Sequence, residues 1–314
     1  MFCYELMRAL IGSIAMVIYQ SVTGAIMHSS LPNDLMVRQL RSNDKNLKII
    51  IYFVVGTEYY NSQNNYCENI TSTTGSHDYV NWAWRNYGNT TGFFNLLDLL
   101  SSFNCRPSVM LNTDVYNYNY DVVQFSRKYG CEFVCHGKSN AEVISDMEVT
   151  DQYIYITDCL NLIYKNENQE FIGWSSPWLS HNHTSLCNLT RSKMSYLMDF
   201  RIADVPVYIE NKTGDISLCA LPYSIELNDS ASLIERRTSV DLFYDLIFNE
   251  IEYHYRRKNK SNPVVISVVL HDFISGVPFR LNIIEKLLEK LNVKFPDIAY
   301  LQPAEIFNLY KGDI

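Results

Sequence analysis

Three observations predict an α/β fold for this chain. From residue 48 onward, short apolar runs of strand length alternate with longer segments of helical spacing. Several of the runs stop on a polar or ionisable side chain, as strands do when they deliver groups to a site. No Pro-rich linker, internal repeat or compositional break divides residues 48 to 314, so one domain accounts for the pattern. A layer or barrel of parallel strands with helices outside satisfies all three.

In chain order, strands are expected at Lys48 to Val55, Pro107 to Leu111, Glu132 to Cys135, Glu170 to Gly173, Tyr196 to Asp199, Ile216 to Leu221, Val264 to Leu270 and Ala299 to Leu301. Helical spacing runs through Phe93 to Phe103, where Phe93, Leu96, Leu97, Leu99 and Leu100 recur on one side, and through Ala141 to Tyr164, Ser232 to Tyr255 and Asn282 to Leu291. The connection from Gly56 to Thr91 is far longer than a usual strand-to-helix loop. It concentrates Trp82, Trp84, Arg85 and Tyr87, which disordered segments seldom do, and so predicts a packed loop over a barrel mouth.

The first 30 residues form an apolar extension ahead of a domain spanning 31 to 314. Ala9 to Met27 carries no charge, follows Arg8 and ends in small residues, in the manner of a signal or anchor. Glu5 and the scattered polar residues Ser13, Gln20, Ser21 and Thr23 favour instead a helix packed on the domain. The packed-helix reading places the protein in the cytoplasm; the other makes it secreted or membrane-tethered through residues 1 to 27, and membrane association is expected only then.

With 34 acidic against 26 basic residues and a formal net charge of −8, the chain lacks the clustered basic face of a nucleic-acid binder. The partners expected are a small-molecule or glycan substrate, with homo-oligomerisation left open. The eight cysteines form no CxxC pair, and a chain of 314 residues needs no disulfide staples, so reduced thiols are expected.

Polar groups cluster where strands are expected to end. Glu58 follows the first strand, His136 the third and Trp174 the fourth, while Asp199 closes the fifth and His271 the seventh. In a parallel barrel these ends share one rim, so residues distant in sequence become neighbours.

The segments DYVNWAWRNYGNTTGFF from Asp78, CEFVCHGKSN from Cys131, GWSSPWLS from Gly173, MDFRIADVP from Met198, LPYSIELND from Leu221 and LHDFISGVPFR from Leu270 carry a resemblance in one colinear order. Together they resemble the polysaccharide deacetylase (NodB-homology) superfamily, in the branch close to the metal-independent allantoinases. The resemblance implies a distorted (β/α)7 barrel of the glycoside hydrolase/deacetylase type. It gives family roles to Glu58, His136 and His271, and it matches the branch pattern at His136, Gly137, Ser139 and Asn140. Metal-dependent relatives use an Asp with two His four residues apart; here the second position is Asn140, whose amide oxygen is a poor zinc ligand. No preformed metal site and no cofactor are therefore expected; the alternative is a metal held by Glu58, His136 and His271 as a two-His, one-carboxylate set. The chain departs from the branch at Gly56, where an Asn is usual, at Ala203-Asp204, where a doubled Asp is usual, and at Asp272, where a Pro commonly follows the late His.

The chemistry implied is hydrolysis of a carbon–nitrogen bond other than a peptide bond, in an N-acetylated sugar or a small cyclic ureide. It needs a base for water, donors for the oxyanion and an acid for the leaving nitrogen. Glu58 is the expected base, bordered by Tyr59, Tyr60 and Trp84; His271 is the expected acid or water-orienting group; His136 is expected to polarise the carbonyl or hold the water. Substrate binding is expected from Trp84, Arg85, Asn140, Trp174, Asp199, Glu226 and Asn228. His181 and His183 read as a surface pair. The three departures make a catalytically degenerate member, binding a carbohydrate or ureide without turnover, the alternative.

Overall fold

The computed structural model describes residues 25–26, 35–59, 78–257 and 262–314. Most of the apolar segment Ala9 to Met27, together with Cys3, Cys67, His28, His77, Tyr60 and much of the long connection, lies outside the described residues. Among the described residues, eleven strands form one sheet: β1 Ala25–Ile26, β2 Met36–Gln39, β3 Ile49–Thr57, β4 Ser108–Leu111, β5 Phe133–Cys135, β6 Gly173–Trp174, β7 Tyr196–Leu197, β8 Val207–Glu210, β9 Ser217–Ala220, β10 Val264–His271 and β11 Ala299–Tyr300. The helices of eight residues or more are α1 Tyr79–Tyr87, α2 Phe93–Ser102, α3 Tyr120–Lys128, α4 Val149–Asn166, α5 His183–Arg191, α6 Val240–Tyr255, α7 Pro278–Lys294 and α8 Pro303–Tyr310. None of them is long and apolar enough to cross a membrane.

The spatial order β9-β7-β6-β5-β4-β3-β10 is parallel throughout, the seven-strand arrangement expected of the distorted (β/α)7 barrel. β11 adds a parallel partner to the N-terminal half of β3, whose C-terminal half pairs β4. The curl closes where Asn228 bridges to Val269 and the Val265 N–H donates to Asp204 O at 2.8 Å. Across the interior, the Tyr52 hydroxyl donates to Pro222 O at 2.5 Å. Alternation along β3 splits the core: Ile50, Tyr52 and Val54 fill the barrel, whereas Ile49, Ile51, Phe53 and Val55 pack under the helices.

Every expected strand is present, shifted by a few residues at its ends, most of all at Gly173–Trp174. The antiparallel edge β9-β8-β2-β1 was not expected; β2 and β8 are short and only half-buried, so they lack a sustained apolar run. Ala25–Ile26 is a strand on β2 rather than part of a packed helix. The expected helix from Ala141 begins only at Val149, and the one from Ser232 at Val240, where the Ser239 hydroxyl accepts from the Leu242 N–H. The six described cysteines, Cys105, Cys131, Cys135, Cys159, Cys187 and Cys219, are free.

Candidate active site

The two-residue period of each strand decides which rim groups meet. Gly56 and Glu58 continue the inward phase of Tyr52 and Val54, His271 that of Val265 and Val269, and His136 that of Val134. Glu58, His136 and His271 thereby line one cavity of about 360 Å3 at the C-terminal ends of the strands.

His271 lies beside Gly56 in the parallel register. A Cβ on Gly56 would sit 2.9 Å from His271 Cδ2 and 3.3 Å from Met110 Cε, so the imidazole fills the space a side chain at 56 would need. The departure at Gly56 makes room for His271. Asp229, fully buried, then fixes the ring: its Oδ1 lies 2.6 Å from His271 Nδ1, and its Oδ2 accepts the His271 N–H at 2.8 Å and the Ser275 hydroxyl at 2.6 Å. With Nδ1 engaged, Nε2 faces Glu58, 3.5 Å from Oε1.

The other Glu58 oxygen, Oε2, accepts from Arg85 Nη1 at 2.5 Å, and both side chains are buried. Arg85 comes from α1 and lies against the Phe273 ring, its guanidinium carbon 4.8 Å from the ring centroid. Asn89, in the wide turn Gly88–Gly92 that continues α1, donates from Nδ2 to Glu58 O at 2.9 Å and accepts the Thr57 hydroxyl at 3.0 Å. The base candidate is thus held at side chain and backbone by one helix and its exit turn.

At the β5 end, His136 Nδ1 donates to Ser175 O at 2.8 Å, which leaves Nε2 as an acceptor. Burial lowers the His136 pKa, opposed by the Glu58 charge, so the ring is neutral. A neutral ring in this tautomer can hold a water or a substrate N–H; it cannot donate to a carbonyl, which corrects one of its two expected roles. Gly137 adopts φ +66, and a Cβ there would meet the Tyr155 hydroxyl at 2.5 Å and Pro177 Cγ at 2.7 Å, so the turn after His136 requires glycine. Asn112, after β4, donates to His136 O at 2.5 Å and to Asn140 Oδ1 at 3.2 Å, and accepts the Tyr59 N–H at 3.0 Å.

One wall of the cavity is formed by Ser176, Trp178 and Leu179. Trp178 and Leu179 both occupy the left-handed backbone region, at φ 61 and 51, a strain found where a wall must be placed rigidly. Trp178 Nε1 donates to Asn140 O at 2.9 Å. Behind this wall, Asp199 accepts the Ser175 hydroxyl at 2.7 Å, the Ser176 N–H at 2.8 Å and His181 Nε2 at 2.6 Å. His181 is therefore a buried partner of Asp199 and not a surface residue; His183 is exposed.

Of the expected binding residues, Asn140 and Asn228 line the cavity. The Asn228 amide is committed to structure: Oδ1 accepts the Ser230 N–H at 2.9 Å and Nδ2 donates to the Tyr223 hydroxyl at 2.8 Å. Arg85 and Asp199 stand behind lining residues. Trp84, Trp174 and Glu226 do not reach the cavity. Trp84 packs edge-on against Phe273 with ring centroids 4.9 Å apart, and Glu226 is exposed. Trp174 shares a register with Cys135 and Leu197 on the outer face, so the pleat turns it under the helices. Sequence reasoning passed over Asp229, Asn112, Tyr223 and Trp178. Asp229, Tyr223 and Trp178 lie inside LPYSIELND and GWSSPWLS, and Asn112 directly follows an expected strand.

A metal does not fit these side chains. The Asn140 amide oxygen faces an Asn112 donor, and the Arg85 guanidinium on Glu58 Oε2 sets a positive charge against any cation that Glu58 would hold. Among the described residues, no group of three or more His, Cys, Asp or Glu side chains is gathered to bind one.

No family model and no curated protein matches the chain. Solved structures do. The PuuE allantoinase superposes with a TM-score of 0.76 at 16% identity, over 85% of this chain and 91% of that one. A probable polysaccharide deacetylase from Pseudomonas aeruginosa PAO1 superposes with a TM-score of 0.70, again at 16% identity, over 84% and 91%. The barrel, its strand order and the cavity at its rim therefore belong to a chain with the fold of the allantoinase and polysaccharide deacetylase structures.

Proposed function

We propose that the protein is a metal-independent hydrolase of a non-peptide carbon–nitrogen bond in a small cyclic ureide or an N-acetylated sugar. The observation that carries this reading is the buried line Asp229, His271, Glu58, Arg85, which opens on a cavity bordered by a neutral His136. Glu58 Oε1 takes a proton from water as the water attacks the carbonyl carbon, while Arg85 holds Oε2 from behind. His136 Nε2 accepts a hydrogen bond from that water or from a substrate N–H. Glu58 then gives that proton to His271 Nε2, 3.5 Å from Oε1, and His271 passes it on to the leaving nitrogen; Asp229, accepting Nδ1–H, stabilises the imidazolium formed in between.

Tyr223 supplies the donor for the oxyanion. Burial pushes its phenol well above the usual range, so it stays protonated, and because its oxygen already accepts from Asn228 its O–H is directed elsewhere. Trp178, Leu179 and Ile225 give the cavity its apolar faces, matching a small ring with few charges.

The test is turnover by purified protein: ammonia-free ring opening of allantoin, and acetate release from chitin oligomers, each with and without chelator and beside Glu58→Gln. Chelator-resistant activity lost in Glu58→Gln is the expected result. The close Arg85 contact on Glu58 favours one second reading, a cavity that binds the same ligands without turnover. Ligand binding with no product from either substrate would decide for it.

A further inference from the structure

Asp272 follows His271 but points the other way, out of the barrel and into a crevice built of backbone. Three glycines form that crevice. A Cβ on Gly88 would lie 2.2 Å from Asp272 Oδ1, one on Gly92 would lie 2.2 Å from Asp272 O, and one on Gly276 would lie 2.2 Å from Asp272 O and 2.5 Å from Gly92 Cα. The turn Gly88–Gly92 and the helical turn Asp272–Ser275 therefore meet backbone to backbone, with the Asp272 carboxyl in the place of a Gly88 side chain. Oδ1 accepts the Phe273 N–H at 2.7 Å, whereas Oδ2 is buried with no hydrogen-bond partner among the described residues.

A carboxylate here would be a buried charge whose neighbouring side-chain donor, the Thr57 hydroxyl, is already given to Asn89, and folded proteins avoid such a charge by holding the proton. The ionisable groups bearing on it are Glu58, past the end of β3, and His271, the last residue of β10 directly before it; the turn Gly88–Gly92 reads GNTTG and carries none. This same turn presents Asn89 to the Glu58 carbonyl, and it continues the helix that presents Arg85 to the Glu58 carboxylate.

We infer that Asp272 is a positioning residue: as a neutral carboxylic acid it seats the Gly88–Gly92 turn, and through Asn89 and Arg85 that seat sets the position of Glu58. Ionisation of Asp272 puts a charge in the crevice and lifts the turn. Desolvation raises the carboxyl to about 8, opposed by the neighbouring Thr57 hydroxyl and by His271 and reinforced by the Glu58 charge, so the seat loosens on the alkaline side of neutrality. The importance given to Glu58 rests on the hydrolase reading; the seating of the turn does not.

The experiment is carboxyl 13C titration of aspartate-labelled full-length protein, beside Asp272→Asn, with the amide resonances of Gly88, Asn89 and Gly92 followed in the same samples. One carboxyl, missing from the variant, is expected to titrate near pH 8, with the turn amides moving at the same midpoint in wild type and not in Asp272→Asn. Exchange of those amides, corrected for intrinsic rate, is expected to rise about tenfold or more above that midpoint. Gly88→Ala, which pushes on the same carboxyl, is expected to show the loosened pattern at every pH. An Asp272 carboxyl titrating in the ordinary aspartate range, or one whose titration the turn does not register, overturns the inference. The wild-type titration alone decides this if Asp272→Asn fails to fold. None of these readings needs turnover, so they stand or fall separately from the hydrolase proposal. Given turnover, an alkaline limb of kcat/KM that persists in Asp272→Asn also overturns it.

Discussion

His271 has its orientation set by what position 56 lacks and by what Asp229 supplies. The ring stands 2.9 Å from where a Gly56 Cβ would be and is tied to Asp229 at 2.6 Å, so it cannot swing aside to admit a side chain. Gly56→Asn, the change that brings the strand end back toward the branch pattern, is expected to cost about 1–3 kcal/mol of stability through overpacking and to impair the site. Urea unfolding checks the first part; a neutral or stabilising result would mean that His271 has another resting place. Asp229→Asn is expected to leave the fold intact and to lower kcat on the order of 10^3-fold or more with little change in KM, because an amide can invert the His271 tautomer. Tyr223→Phe should lower kcat roughly 10^2-fold by removing one donor. Glu58, His136 and His271 were legible as strand-end residues because apolar runs announce their own ends. Asp229 was not, since it lies between two short helical turns, Ile225–Leu227 and Ser230–Glu235, and its meaning depends on a strand residue 42 positions later.

Helix α1 shows why one element escaped the sequence. YVNWAWRNY has no apolar stripe; its buried residues are Asn81 and Arg85, while Tyr79, Val80 and Trp82 are exposed. Periodicity of apolar residues finds helices that dock by the hydrophobic effect, and this one docks through a buried ion pair, a ring face and a glycine turn. The long connection was expected to pack over the barrel mouth; its later part is a helix whose inward residue holds Glu58. Removing one partner of a buried pair strands the other charge. Arg85→Met alone is expected to destabilise by about 3–5 kcal/mol, and Arg85→Met with Glu58→Gln by distinctly less. Chemical denaturation of both variants and of the Glu58→Gln single completes the cycle. Additive losses would show that Arg85 matters through packing on Phe273 and not through its charge.

At the scale of the molecule, the alternation of strands and helices was enough to read the parallel barrel, while the antiparallel edge and the choice of inner or outer face at each strand end required the register. Burial also changes what sequence signals mean: four N-x-S/T asparagines, Asn89, Asn188, Asn211 and Asn228, are buried. The same burial gives the fold an unusual response to pH. Glu132, at the start of β5, accepts from the Tyr196 hydroxyl and from the Ala304 N–H, joining the barrel floor to α8, and desolvation raises its pKa to about 7. Below its ordinary value of 4.5 both folded and unfolded chains hold the proton; between about 4.5 and 7 only the folded chain does, so stability falls as pH rises, by about 1.4 kcal/mol per unit. Asp272 acts in the same direction from 3.8 to about 8. His136 acts oppositely: its pKa is lowered from 6.5, so stability is lost as pH falls below that value and the unfolded chain takes up a proton the folded ring refuses. Glu250, lowered to about 2 mainly by His254, with Arg201 also contributing, adds a second loss as pH falls from 4.5. The opposing limbs place maximal stability on the acid side of neutrality, although the chain carries a net charge of −8 at pH 7. Unfolding free energies measured in urea at pH 4.5, 5.5 and 7 are expected to decline in wild type and to decline less steeply, by about 1.4 kcal/mol per unit, in Glu132→Gln. Parallel profiles for the two proteins would mean that Glu132 ionises in place and that the Tyr196 and Ala304 donors stabilise its charge.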